Sequence, residues 1–117
     1  MSLSTNIFDF SLTRGDSLSH QVTVEVTDES AKDVTGASVS YTIKRDSRDG
    51  VQVVQKTLGS GITLTSPITG VMTITLSPTD TMLDPGRRYF YDCQVTISGF
   101  VQTVQAGQIT VEGEVTS

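Results

Sequence analysis

The stretch Asp84-Pro-Gly-Arg-Arg-Tyr-Phe-Tyr-Asp-Cys-Gln-Val-Thr-Ile97 decides the fold class. It opens with Pro-Gly, which marks a tight turn because proline fixes φ and glycine tolerates positive φ. After the turn a period of two predicts a strand with one buried and one solvent-facing side. The side chains predicted to form the centre of the core are large and apolar at every second position: Tyr89, Tyr91, Cys93, Val95 and Ile97.

The rest of the chain repeats this pattern in short segments separated by turn residues. Threonine (18 residues) and valine (14 residues) are abundant, which favours sheet over helix. Turns at hairpin spacing and a Tyr-x-Cys strand predict an all-β fold, an antiparallel immunoglobulin-like β-sandwich of about seven to nine strands with Greek-key connections. Further inward positions are predicted at Val39, Tyr41 and Ile43, at Val51 and Val53, and at Met72, Ile74 and Leu76.

Two local features are predicted to interrupt the strands, a helical turn and a bulge. One short helical turn is predicted near residues 78–83, with Ser77 as its N-cap and Asp80 at its third position. Gly107 interrupts the last apolar run and indicates a bulge there.

With 117 residues, the chain has the length of one domain with one core. We expect a disordered leader over residues 1–6, a single sandwich domain over residues 7–111 and a frayed tail over residues 112–117.

Charge and hydropathy argue against two classes of partner, nucleic acids and membranes. A formal net charge of −5 argues against nucleic acid, since a phosphate backbone requires clustered Lys and Arg. No apolar run approaches the roughly 18 residues of a membrane-spanning helix, so we expect no membrane association. Cys93 is the single cysteine and allows no internal disulfide, and it is expected to be a buried small hydrophobe.

The sequence predicts no catalytic residue, no cofactor and no metal. Its single histidine, His20, lies in an alternating segment and is interpreted as structural. Asp46 and Asp49 lack the alternation of oxygen ligands that a calcium loop requires. The triplet Arg14-Gly15-Asp16 is typical of a turn between two strands, which makes an integrin motif the weaker interpretation.

A buried tyrosine hydroxyl needs a hydrogen-bond partner, and a turn with spare backbone groups supplies one. Either Tyr89 or Tyr91 is therefore predicted to form a tyrosine corner with the backbone near residues 82–84. The position of Tyr91, two residues before Cys93, has the spacing of such a corner.

Several motifs in order resemble one known family. They are Phe10-Ser-Leu-Thr-Arg-Gly-Asp-Ser-Leu18, Asp33-Val-Thr-Gly-Ala-Ser-Val39 with Lys44, Gly61-Ile-Thr-Leu-Thr65, Gly70-Val-Met-Thr-Ile-Thr-Leu-Ser-Pro-Thr-Asp80 and Pro85-Gly-Arg-Arg-Tyr-Phe-Tyr91. Over about Phe8 to Val111, the chain resembles the immunoglobulin-like N-terminal domain of phage baseplate upper proteins and related small prophage proteins. The resemblance implies a non-enzymatic virion component that contacts other tail or baseplate proteins and is assembled in the bacterial cytoplasm.

Because its loops carry no predicted catalytic or ligand-binding residues, such a domain would act through its sheet faces and edges, as a homo-oligomer or with other proteins. The candidate interface residues are Phe90, which is out of phase with the inward row, and Phe100, Val101 and Val104 near the last hairpin. The alternatives are an immunoglobulin-like adhesion or carbohydrate-binding module of a bacterial surface protein, and a chaperone or regulator that binds by strand addition. A hydrolytic enzyme would need a nucleophile–base pair, which the sequence does not offer.

Overall fold

The computed structural model describes residues 5–25, 33–47, 49–97 and 99–113. In these ranges the chain forms strands, one short 3-10 helix (Pro67–Thr69) and no α-helix. The strands are β1 (Asn6–Ile7), β2 (Phe10–Thr13), β3 (Leu18–Thr23), β4 (Ser38–Arg45), β5 (Val51–Leu58), β6 (Gly61–Ser66), β7 (Val71–Leu76), β8 (Tyr89–Ile97) and β9 (Phe100–Glu112). The all-β prediction is confirmed.

The strands form one mixed sheet in the order β1-β9-β8-β4-β5-β6-β7-β3, with β2 also pairing with β9. Most neighbours are antiparallel, but β1 and β2 run parallel to β9, and β5 meets β6 in parallel over two residue pairs. The prediction of a purely antiparallel fold is therefore wrong at these places. The first segment reaches β9 from the far end of the chain, so no hairpin forces it to run antiparallel.

The sheet curls so that its β3 end lies opposite β4 and β8. The ring of His20 on β3 lies 5.5 Å from the ring of Tyr41 on β4 and 6.2 Å from that of Tyr91 on β8, although these strands are far apart in the strand order. One apolar core fills the space between the two ends of the sheet. Buried members from the two sides include Val22, Met72, Ile74, Leu76, Val39, Tyr41, Ile43 and Val95.

Strand β8 has the burial pattern that its sequence predicts. Tyr89, Tyr91, Cys93 and Val95 are buried, and Ile97 at the strand end is half-buried against the core. A period of two thus gives the inward side of this strand correctly along its length.

A bulge changes the phase of β5. Ile43 pairs with Val54 whereas Lys44 pairs with Gln52, which leaves Val53 as the extra residue. Val54, which pairs with the inward Ile43, is consequently buried in place of Val53. Val51 pairs with Arg45 at the end of the strand and is 61% exposed, so it does not join the core as predicted.

A second bulge lies in β9, but not at Gly107. Cys93 pairs with Gln105 and Gln94 pairs with Thr103, so Val104 is the extra residue. Gly107 has a different role: a Cβ built on it would lie 2.1 Å from the carbonyl oxygen of Phe8, which shows how closely the N-terminal segment passes.

The predicted helical turn near residues 78–83 is wrong, since this segment is a hydrogen-bonded turn. The Ser77–Asp80 cap does form: the Asp80 N–H donates to Ser77 Oγ (3.2 Å) and the Ser77 N–H to Asp80 Oδ2 (2.8 Å). The helix does not continue because the Leu83 N–H instead donates to the Thr81 carbonyl (2.7 Å), and Pro85 disfavours a helical conformation at Asp84.

Both predicted chain ends need correction by one or two residues. The Thr5 hydroxyl donates to the Thr103 carbonyl (2.6 Å) and Asn6 belongs to β1, so these two residues are not part of a disordered leader as predicted. Glu112 belongs to β9 and pairs with Thr13. The remainder of the predicted leader and tail, residues 1–4 and 114–117, lies outside the described residues.

Candidate functional site

The outward side chains of β4, β8 and the start of β9 form a continuous surface, which we call the outer face. The strand register arranges them in rows across the sheet, such as Ser40–Gln94–Thr103, because directly paired residues point to the same side. The members of the outer face are Ser38, Ser40, Thr42, Lys44, Phe90, Asp92, Gln94, Thr96, Val101 and Thr103.

The chemistry of the outer face is mainly that of hydroxyl and amide groups. Of the members named above, Lys44 and Asp92 alone carry charge, and Phe90 lies half-buried among them. Short serine and threonine side chains keep such a surface flat, so a protein partner could approach it with little desolvation of charge.

Two depressions interrupt the outer face. One, of about 170 Å³, lies at Phe90 between Thr42 and Thr103. The other, of about 490 Å³, lies over the small serines of β4, and Leu58 and Thr96 contribute to its walls. Both are open and shallow enough to receive side chains of a partner.

The structure separates the four predicted interface residues. Phe100 is 60% exposed and Val101 is 57% exposed at the β8–β9 hairpin, as an interface requires. Val104 is fully buried, so its assignment to an exposed patch is wrong; the bulge turns it into the core. Phe90 lies six residues along β8 from Thr96, the pairing partner of Val101, which is about 20 Å in a strand. The four residues therefore do not form one patch.

Charged side chains gather at the opposite end of β4 and β8. The Arg87 guanidinium lies 2.8 Å from the Asp46 carboxylate and 3.7 Å from that of Asp84, and Arg45 lies 3.7 Å from Asp46. Asp46 thus faces the guanidinium groups of two arginines. The hairpin end of the outer face is apolar and the other end is ion-paired.

The tyrosine that serves the turn is Tyr89 rather than Tyr91. The Asp84 N–H donates to the Tyr89 hydroxyl (2.8 Å). Tyr91 instead donates to the Phe8 carbonyl (2.5 Å) and accepts from the Gln105 amide (3.0 Å). Tyr91 therefore ties the N-terminal segment to the core.

Burial keeps the titratable core groups neutral. It raises the pKa of the Cys93 thiol to about 12 and that of Tyr91 to about 12, and it lowers the pKa of His20. His20 lies 3.2 Å (Nε2) from the Tyr41 hydroxyl, whose pKa burial also raises. A neutral thiol, a neutral imidazole and two neutral phenols in the core favour a structural role for Cys93, His20, Tyr41 and Tyr91.

Thr81 is a residue whose role the sequence did not reveal. Its buried hydroxyl donates to the Asp16 carbonyl (2.8 Å) and accepts from the Gly15 N–H (3.1 Å). It thereby holds the Arg14-Gly15-Asp16 segment in a turn from inside. A threonine within a cap motif gave no signal for this contact 65 residues away along the chain.

Among the described residues, no three or more His, Cys, Asp or Glu side chains gather where a metal could bind. The same residues include no helix long and apolar enough to cross a membrane.

Neither the known protein-family models nor the curated proteins provide a match to this chain.

Proposed function

We propose that this chain is a non-enzymatic structural protein of a phage or prophage tail or baseplate, which acts through contacts with other tail or baseplate proteins. The ordered motifs that resemble the baseplate upper proteins support this assignment. It places the chain in the virion after assembly in the bacterial cytoplasm.

The proposal includes an immunoglobulin-like sandwich with Greek-key connections. The pairing scheme supports it: β9, β8, β4 and β5 are neighbours in one half of the sheet, and β6, β7 and β3 in the other. The curl that brings His20 opposite Tyr41 gives the two halves a common core, as in a sandwich.

The observation that carries the functional proposal is the composition of the outer face. An enzyme would concentrate polarised side chains in a cleft, whereas this surface offers hydroxyls, amides, a half-buried Phe90 and shallow depressions. Exposed Val101 belongs to it near the hairpin, and exposed Phe100 adjoins it there. A surface of this composition resembles the mixed polar and apolar surface of a protein–protein interface.

Immunogold electron microscopy tests the assignment directly. Antibodies raised against the chain are applied to tail particles purified from the bacterium whose genome encodes it, and to intact cells of that bacterium. We expect gold label at a constant position on the tail. Label confined to the cell envelope, with none on the particles, would contradict the proposal and support the surface adhesion module.

A further inference from the structure

Strand β3 has one side without a strand partner among the described residues. It pairs with β7 alone, in a register that joins Val22 to Met72. The Val24 N–H donates to the Gly70 carbonyl (2.8 Å) in the same register. Hydrogen-bonded positions alternate in an antiparallel pair, so the even-numbered residues bond to β7. The backbone groups of Ser19, Gln21 and Thr23 consequently point away from β7.

Strands β1, β2 and β5, which are also incompletely paired, carry features that discourage further pairing. The edge formed by β1 and β2 is short and is interrupted at Phe8 and Asp9. Strand β5 meets β6 only at its end, but it contains the Val53 bulge and carries Lys56, which pairs with Asp80 at 2.7 Å. Short length, bulges and lysines are the usual protection of sheet edges.

Strand β3 has none of these features. Its sequence, Leu-Ser-His-Gln-Val-Thr, contains no lysine, carboxylate or proline, and its register with β7 is regular over all six residues. Two copies with a net charge of −5 each repel one another. An uncharged edge strand is where their backbones could meet with least repulsion.

We propose that β3 is a self-association strand that pairs antiparallel with β3 of a second copy about a two-fold axis at Gln21. In this register Ser19 faces Thr23 of the second copy, and the two Gln21 residues face each other. The outward N–H and C=O groups on both strands then complete about six hydrogen bonds. Side chains on the same side match as well, since the inward His20 faces the inward Val22 of the second copy.

This pairing goes beyond the proposed function, because it applies wherever the protein acts and uses an edge away from the outer face. We propose a second copy rather than a foreign strand as the partner because the β3 edge is self-complementary about Gln21. In this register no like charges oppose each other, and every outward N–H group meets a C=O group.

The test uses two oppositely charged variants, Gln21→Lys and Gln21→Glu, in the full chain. Because the Gln21 side chain is exposed, neither change disturbs the core. Light scattering over a concentration series should give a wild-type dimer. Each variant alone should dissociate at least about tenfold more readily, since like charges then face each other. An equimolar mixture should recover the dimer, because lysine then faces glutamate.

Gln55→Lys and Gln55→Glu are the matched controls. Gln55 has the same exposed side chain but lies on β5, whose edge is protected by the Val53 bulge and Lys56, so these changes should leave the mass unchanged. A wild-type monomer at about 1 mM, an oligomer that the Gln21 variants leave intact, or a mixture that does not reassociate would overturn the proposal. None of these results would move the gold label on tail particles, so the two proposals can fail separately.

Discussion

At the scale of single residues, burial explains the state of each titratable core group. His20 packs against the rings of Phe10 (5.0 Å), Tyr41 (5.5 Å) and Tyr91 (6.2 Å), and none of these neighbours is charged near neutral pH. The charged imidazolium would lose hydration there without gaining an anionic partner. This is why the pKa of His20 lies below its ordinary value of 6.5.

This lowered pKa gives stability a definite pH dependence. The unfolded chain binds the histidine proton at about pH 6.5, before the folded chain does, so acidification favours unfolding. We expect the Tm to fall between about pH 7.5 and pH 5.5, and His20→Phe to flatten this slope while keeping a ring in place. Scanning calorimetry at several pH values measures both, and equal slopes in the two proteins would contradict the account.

The pKa of Asp80 belongs to a separate, more acidic window. Burial raises it, but the Lys56 ammonium and the Ser77 hydrogen bonds outweigh burial and hold it below the ordinary 3.8. Because a lowered carboxyl pKa stabilises the fold only above its unfolded value, this contribution disappears below about pH 4. It therefore does not disturb the histidine test.

At the scale of elements, the N-terminal segment is held in place by the close approach of its backbone to the backbone of β9. The Phe8 N–H donates to the Ala106 carbonyl (2.9 Å), and the Asp9 carboxylate accepts from the Gln108 N–H (2.8 Å). Between these contacts, Gly107 leaves the space that the Phe8 carbonyl occupies. The missing side chain, rather than positive φ, explains the glycine here.

We expect Gly107→Ala to displace β1 and β2 and to lower the free energy of unfolding by about 1–3 kcal/mol, the usual cost of overpacking. Gly86→Ala is the control, because its Cβ would meet only the Asp84 carboxylate at an ordinary 3.5 Å. Urea denaturation of both variants provides the measurement. Equal midpoints in the two variants would show that the close approach is not needed.

For the strands, the sequence predicted the inward rows but not the bulges or the parallel pairing. Alternation is local information, so the inward rows of β4, β7 and β8 followed from it, as in Tyr91 and Met72. Bulges depend on the partner strand, so the burial of Val54 in place of Val53 and the inward turn of Val104 did not. The parallel pairing of β1 and β2 with β9 is a tertiary choice and likewise gave no periodic signal.

The candidate site was predictable only in part for the same reason. Exposed Phe100 and Val101 follow from their place beside a hairpin turn. The outer face as a surface depends on the register between β4, β8 and β9, and so does the distance that separates Phe90 from the hairpin. The pattern of a single strand contains no information on register, so it predicted one patch from residues that lie far apart in the sheet.

At the scale of the whole molecule, the outer face has two unlike ends. The chain is elongated, with extents of 45 × 25 × 22 Å. Ion pairs of Asp46 with Arg45 and Arg87 lie at one end of β4, and the apolar hairpin of Phe100 and Val101 lies at the other. Exposed ion pairs add little stability, so these ion pairs are suited to remain in water while the outer face, from Phe90 to the hairpin, is covered.

Hydroxyl-radical footprinting of the chain inside purified tail particles, compared with the isolated chain, tests the central claim most directly. We expect oxidation of Phe90 and Phe100 to fall severalfold in the particles, because a neighbouring protein covers the outer face and the hairpin that adjoins it. Oxidation of Met82, which is 49% exposed near the ion-paired end, should stay the same and serves as the internal control. Equal oxidation of Phe90 and Phe100 in both samples, or the absence of the chain from the particles, would contradict the claim.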